Sequence, residues 1–327
     1  MTESTKRRAV PVKAWAAAGV CLALLGGLAA WFLVGRETAA PCNGLPQDKR
    51  LRQSVGAGLQ PGMSCAAIGE VIVKATSGSE PGRHTQAQAQ AMKDVLFAIG
   101  FGQPKELALD PALRSPLATA LADYAPDLHA MLAGLDSQYV LKAGRDTPPW
   151  ESGGTYHLSV YTNVLRETVR AVAQDPHAYA LLRMTETRTA AQRLAAVPAD
   201  ATGHEFTVPP TTNARAFGIL DGIANAVTHG QDKDQAHKWR RTVLDQLLND
   251  PATPKTYQDD PAAYLTATWL KDLKNTLEKD RPDRLRTQGI DMARTWTQER
   301  NTEEQTRQSL LADVDGSQLS AYREIKP

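Results

Sequence analysis

Residues 158–176 run LSVYTNVLRETVRAVAQDP, and the reading of this stretch decides the fold. Leu158, Tyr161, Leu165, Val169 and Val172 recur every three or four positions, which puts all five on one face of a helix. A strand shows alternate side chains to opposite faces and could not collect them. The stretch closes on Asp175-Pro176, an N-cap oxygen followed by a residue with no N–H to lose, so a second helix starts at once.

The same grammar extends outward in both directions. Ala236, Trp239, Val243 and Leu247 form one further stripe, and Leu265, Trp269, Leu273 and Leu277 another. Starts recur at Asp110-Pro111, Ser115-Pro116 and Asp260-Pro261. No run of alternating apolar and polar residues marks a strand. The expected fold class is all-α, an N-terminal single transmembrane helix followed by a multi-helix extracytoplasmic bundle of about ten helices. These are placed near 48–57, 65–76, 85–99, 116–123, 126–134, 156–174, 176–196, 213–228, 232–249 and 261–279, with one or two more up to about 313. Glycine and proline interrupt the pattern at 136–155 and 198–213. The second interruption is taken as the boundary between a helical subdomain at 47–200 and another at 211–327, which ends in a polar tail.

The transmembrane expectation rests on residues 14–34, AWAAAGVCLALLGGLAAWFLV, which carry no charge. As a helix they would be roughly 31 Å long, close to the hydrocarbon thickness of a bilayer. Lys6, Arg7, Arg8 and Lys13 stand ahead of them against Glu3 alone, which favours a cytoplasmic N-terminus. The expected layout is a cytoplasmic tail at 1–13, a signal anchor at 14–35 and a linker at 36–46, with the remainder outside the cell membrane. Secretion after cleavage is the alternative, although a cut after Ala40 would leave Pro41 at the new N-terminus. Gly19, Ala23 and Gly27 recur every four residues and offer a homodimer contact between two such helices, or simply reflect a composition rich in small residues.

The net charge of +1 leaves no electrostatic footprint for nucleic acid. Beyond the apolar run stand Cys42 and Cys65. In an oxidising compartment they can join in one disulfide; alternatively Cys65 is a buried thiol and Cys42 a free one. Catalytic patterns are missing: there is no Ser-x-x-Lys, no Gly-Lys of a phosphate loop and no His-Glu-x-x-His. Ser64 follows Pro61-Gly62 and reads as an N-cap, not a nucleophile.

Two clusters invite a metal test. His229, Asp232, Asp234 and His237 lie within nine residues and could ligate a transition metal, yet they also read as a helix end followed by the acidic first turn of the next helix. Asp313, Asp315, Ser317 and Glu324 fall at calcium-loop spacings, but Gln318 stands where that loop needs glycine, so a frayed C-terminal tail is expected. No catalytic residue, metal or cofactor is assigned.

Three passages carry a resemblance: 112–117 running into 122–129, then 164–166 through Gln174-Asp175-Pro176 to Thr185-Glu186-Thr187, and Gly218-Ile219-Leu220-Asp221-Gly222-Ile223 ahead of Trp239. In order and spacing they resemble the C-terminal helical region of large actinobacterial proteins, abundant in streptomycetes, whose N-terminal halves are often WXG-like hairpins linked to type VII secretion. The resemblance covers roughly residues 85–275, implies a helical body and brings no site residues with it. The expected function is therefore a membrane-anchored, extracytoplasmic protein-interaction module with envelope protein partners and no catalysis. An envelope hydrolase or metal-dependent enzyme is the alternative, and an exported toxin-like effector a further one.

Overall fold

The computed structural model describes residues 41–100, 109–251 and 255–326. Among them are fourteen α-helices and a single two-stranded hairpin, so the all-α class holds. In chain order the helices are α1 (Lys49–Val55), α2 (Cys65–Thr76), α3 (Gln86–Gly100), α4 (Pro111–Asp123), α5 (Ala125–Ala133), α6 (Ser137–Leu141), α7 (Thr162–Val172), α8 (Pro176–Ala195), α9 (Gly203–His229), α10 (Lys233–Leu248), α11 (Pro261–Asn275), α12 (Arg281–Arg286), α13 (Gln288–Glu299) and α14 (Glu304–Glu324). The hairpin, β1 (Trp150–Ser152) with β2 (Thr155–His157), falls between α6 and α7 and pairs Trp150 with His157.

Side-chain caps start the helices where the sequence places them. Asp175 accepts from the His177 amide, Asp110 from Ala112, Asp260 from Ala263 and Ser64 from Ala67. Each satisfies a donor that the first helical turn leaves without a partner. Pro116 starts nothing, since α4 already begins at Pro111. Its ring instead lies against Gly69 of α2, where an added Cβ would come within 2.6 Å of the proline Cγ.

Helix α8 is the hub, packed against α4, α5, α9, α10, α11 and α13. Leu182, Ala190, Ala191 and Leu194 of α8 are buried, as are Val164, Leu165, Val169 and Val172 of α7. Residues Cys42–Pro327 form one compact unit. The stretch 198–213, expected as a loop dividing subdomains 47–200 and 211–327, is helical from Gly203 onward and continues into α9 without a break. Pro209 and Pro210 lie inside the helix, where each removes a backbone donor; Phe206, buried one turn ahead of them and stacked on Trp296 at 4.9 Å, anchors this part of the helix.

Other expectations need correction. Helix α7 begins at Thr162 and not at 156, because residues 155–157 pair as β2, and Tyr161 is left half exposed. Leu277 lies beyond the end of α11 and is exposed. The polar, frayed tail is α14, whose Leu310, Val314, Gln318 and Ala321 are buried. Its closest approach is to α9 at Gly218 and Gly222, where a Cβ on Gly222 would stand 2.7 Å from that of Ile325 and one on Gly218 would collide with the Gln318 carbonyl. Glu324 then takes Arg166 and Arg215 at 2.5 and 2.6 Å, tying α14 to α7 and α9.

The membrane localisation is also corrected. Among the described residues no helix is long and apolar enough to cross a membrane. The run 14–34, with Gly19, Ala23 and Gly27, lies outside the described residues, so single-pass anchoring has no support in the structure.

Candidate functional site

On α8 the core-facing stripe Tyr179, Arg183, Thr187 and Ala190 contains a guanidinium among apolar neighbours. Arg183 is wholly buried, and such a charge persists only if paired and fully hydrogen-bonded. Nη1 donates to Asp221 Oδ1 of α9 at 2.6 Å, Nε to Gln288 Oε1 of α13 at 2.8 Å and Nη2 to the Leu285 carbonyl of α12 at 2.8 Å. The guanidinium also lies 4.9 Å over the Phe217 ring. Gln318 of α14 completes the ring of partners, donating to Asp221 Oδ2 at 3.0 Å and to the Arg286 carbonyl. Burial pushes the Asp221 carboxyl above its ordinary range, against the pull of Arg183 and Gln318.

Over this pair opens a cleft of about 710 Å³ between α9, α10 and the 278–286 segment. Its floor includes Tyr179, Asp221, Trp239, Val243, Leu244 and Leu285. The floor's polar atoms are spent inward: the Tyr179 hydroxyl donates to the Leu220 carbonyl at 3.2 Å, and the Trp239 indole N–H to that of Ala173 at 3.0 Å. Five cations, Arg240, Arg241, Lys279, Arg281 and Arg286, stand in the lining against the carboxylates of Asp221, Asp245 and Glu278. A cleft so built can hold a ligand; no step of covalent chemistry is assigned to it.

A second cluster lies around α5. Asp127 Oδ1 accepts from the Tyr139 hydroxyl at 2.5 Å and faces His157 Nδ1 at 2.6 Å, while Oδ2 accepts from the Leu158 amide at 3.1 Å. Trp150 stacks on the His157 ring at 5.7 Å across the hairpin, while Asp127 ties the second strand to α5. Deeper, His129 and Glu186 pair at 2.9 Å with both side chains buried. Lys93 Nζ donates to the carbonyls of Lys142 and Thr147 at 3.1 and 2.7 Å and clamps that loop; burial lowers its pKa to about 8.

The disulfide expectation is met: Cys42 and Cys65 are joined, with Cα atoms 5.1 Å apart. His229, Asp232, Asp234 and His237 are exposed, and among the described residues no group of three or more such side chains comes together around a metal-sized space. Asp232 is occupied as the N-cap of α10, accepting from the Asp234 and Gln235 amides. His237 alone of the four reaches the cleft. Asp313, Asp315, Ser317 and Glu324 lie along α14 and form no loop.

Sequence reasoning missed Arg183, Asp221, Gln288 and Gln318. The available signal was a charge at helical spacing on an apolar stripe in α8, and a lone carboxylate in the otherwise apolar Gly218–Ile223 stretch. Comparison with known protein families, curated proteins and solved structures yields no match for this chain.

Proposed function

We propose that this protein is a non-catalytic helical binding module whose working surface is the cleft between α9, α10 and the 278–286 segment. The observation that carries the reading is the construction of that cleft: a rigid, hydrogen-bond-satisfied floor beneath a cation-rich wall. Rigid concave surfaces with a few placed charges are the usual form of a binding site. The disulfide, the Lys93 clamp and the Asp127 cluster each support this reading by fixing the scaffold. We also propose kinship with the helical regions of the actinobacterial proteins named above; Asp127, Glu186 and Asp221 of the resembling passages are buried polar anchors here.

A photo-crosslinking residue at Arg241, on the cleft wall, compared with one at Glu70 on α2, tests the proposal in cells. A defined adduct formed from position 241 and absent from position 70 is expected. Adducts indistinguishable between the two positions would overturn it.

A further inference from the structure

We infer that the cleft takes a small organic anion with an apolar body, its carboxylate or phosphate head on the cationic wall and its body on the Trp239, Val243, Leu244 and Leu285 floor. The inference rests on the cleft being the working surface. Its volume of about 710 Å³ falls within the roughly 300–1,000 Å³ of small-molecule sites.

Chemistry selects the class. The Trp239 N–H and the Tyr179 hydroxyl are already engaged, and the Asp221 oxygens are held by Arg183 and Gln318, so the floor offers mainly apolar surface. A polar ligand would lose its water there with little return. The wall offers the reverse. Arg240 spends one nitrogen on Thr228 Oγ1 at 3.1 Å, Arg286 pairs with Asp283 at 2.5 Å where both are exposed, and Arg241 only approaches Asp245 at 3.9 Å. Exposed pairs of this kind are weak, so an incoming carboxylate or phosphate can displace them and take a guanidinium fork in two bonds. A cationic head would face five like charges, and one of the three carboxylates in the lining, Asp221, is already matched by Arg183.

Calorimetric titration of the full chain with decanoate and with decanol is the test, repeated on Ala224→Trp, which fills the cleft, and on Arg240→Gln/Arg286→Gln. Decanoate is expected to bind about tenfold or more tighter than decanol at low salt, with that preference shrinking as salt screens the wall. The preference should be lost in the double variant, and both ligands should be lost in Ala224→Trp. Thermal unfolding confirms that each variant folds, and if Ala224→Trp does not, the double variant carries the test alone. Equal affinity for the two ligands in the parent, both lost in Ala224→Trp, would overturn the anion inference and leave the cleft as binding surface. Binding that survives Ala224→Trp unchanged would overturn both. No binding of either ligand would overturn the inference, while the crosslinking comparison decides the module reading.

Discussion

Arg183 of α8 and Asp221 of α9 meet at 2.6 Å with the arginine side chain sealed from solvent. Such a pair contributes little over an apolar replacement, yet removing one partner strands the other. Arg183→Met is expected to cost about 3–5 kcal/mol, and Asp221→Asn a comparable amount because Arg183 keeps its charge. The double variant Arg183→Met/Asp221→Leu should lose less than the two single losses added. Urea denaturation of the set checks this, and strict additivity would show that the pair does not act as a unit.

The glycines of α9 and α14 should respond in opposite directions to the same change. Gly218→Ala drives a methyl into the Gln318 carbonyl, so overpacking is expected to cost about 1–3 kcal/mol. Gly316 lies on the exposed side of α14 with nothing within 4 Å of an added Cβ, and Gly316→Ala should stabilise by about 0.5–1 kcal/mol. Two losses of similar size would mean that α14 is packed on both faces.

Two ionisable groups, Lys93 and His157, give stability opposite pH slopes. Lys93 releases its proton at about pH 8 in the folded chain against an ordinary 10.5, so between those values the unfolded state holds more protons and stability rises with pH. Lys93→Met should flatten that rise. His157 titrates above its ordinary 6.5 because of the Asp127 bond, so its contribution is complete below 6.5 and is lost as pH climbs through the raised value. The stability gap between the parent and His157→Gln is therefore expected to narrow above pH 6.5. Melting temperatures across pH 5–11 decide both, and gaps that do not change with pH would refute them.

Closing the 23-residue separation between Cys42 and Cys65 contributes about 3 kcal/mol on the chain-entropy model. Reduction, or Cys42→Ala, should lower stability by that order. Mass spectrometry of unreduced protein should find neither thiol open to alkylation; alkylation of both would refute the bridge.

The helices were legible because their signals are local: Asp175-Pro176 and Asp260-Pro261 announce their own starts. Where the sequence misled, tertiary packing overrode a local cue. Pro209-Pro210 reads as a break, yet Phe206 and Trp296, ninety residues apart, keep α9 helical through it. The polar run 313–324 reads as a tail because only Val314, Gln318 and Ala321 turn inward. The Arg183 network was illegible for the same reason, since its partners Asp221, Gln288 and Gln318 lie 38 to 135 positions away and no short pattern joins them.

The seating of α14 on α9 also sets a clock. Asp221 leaves the ribosome 97 residues before Gln318; at about 5–20 residues per second the interval is on the order of ten seconds. Throughout it the Gly218–Gly222 face is bare and one oxygen of the buried carboxylate lacks its amide, so a newborn chain must hold an unfinished core open while the rest of the helix that completes it is still being translated.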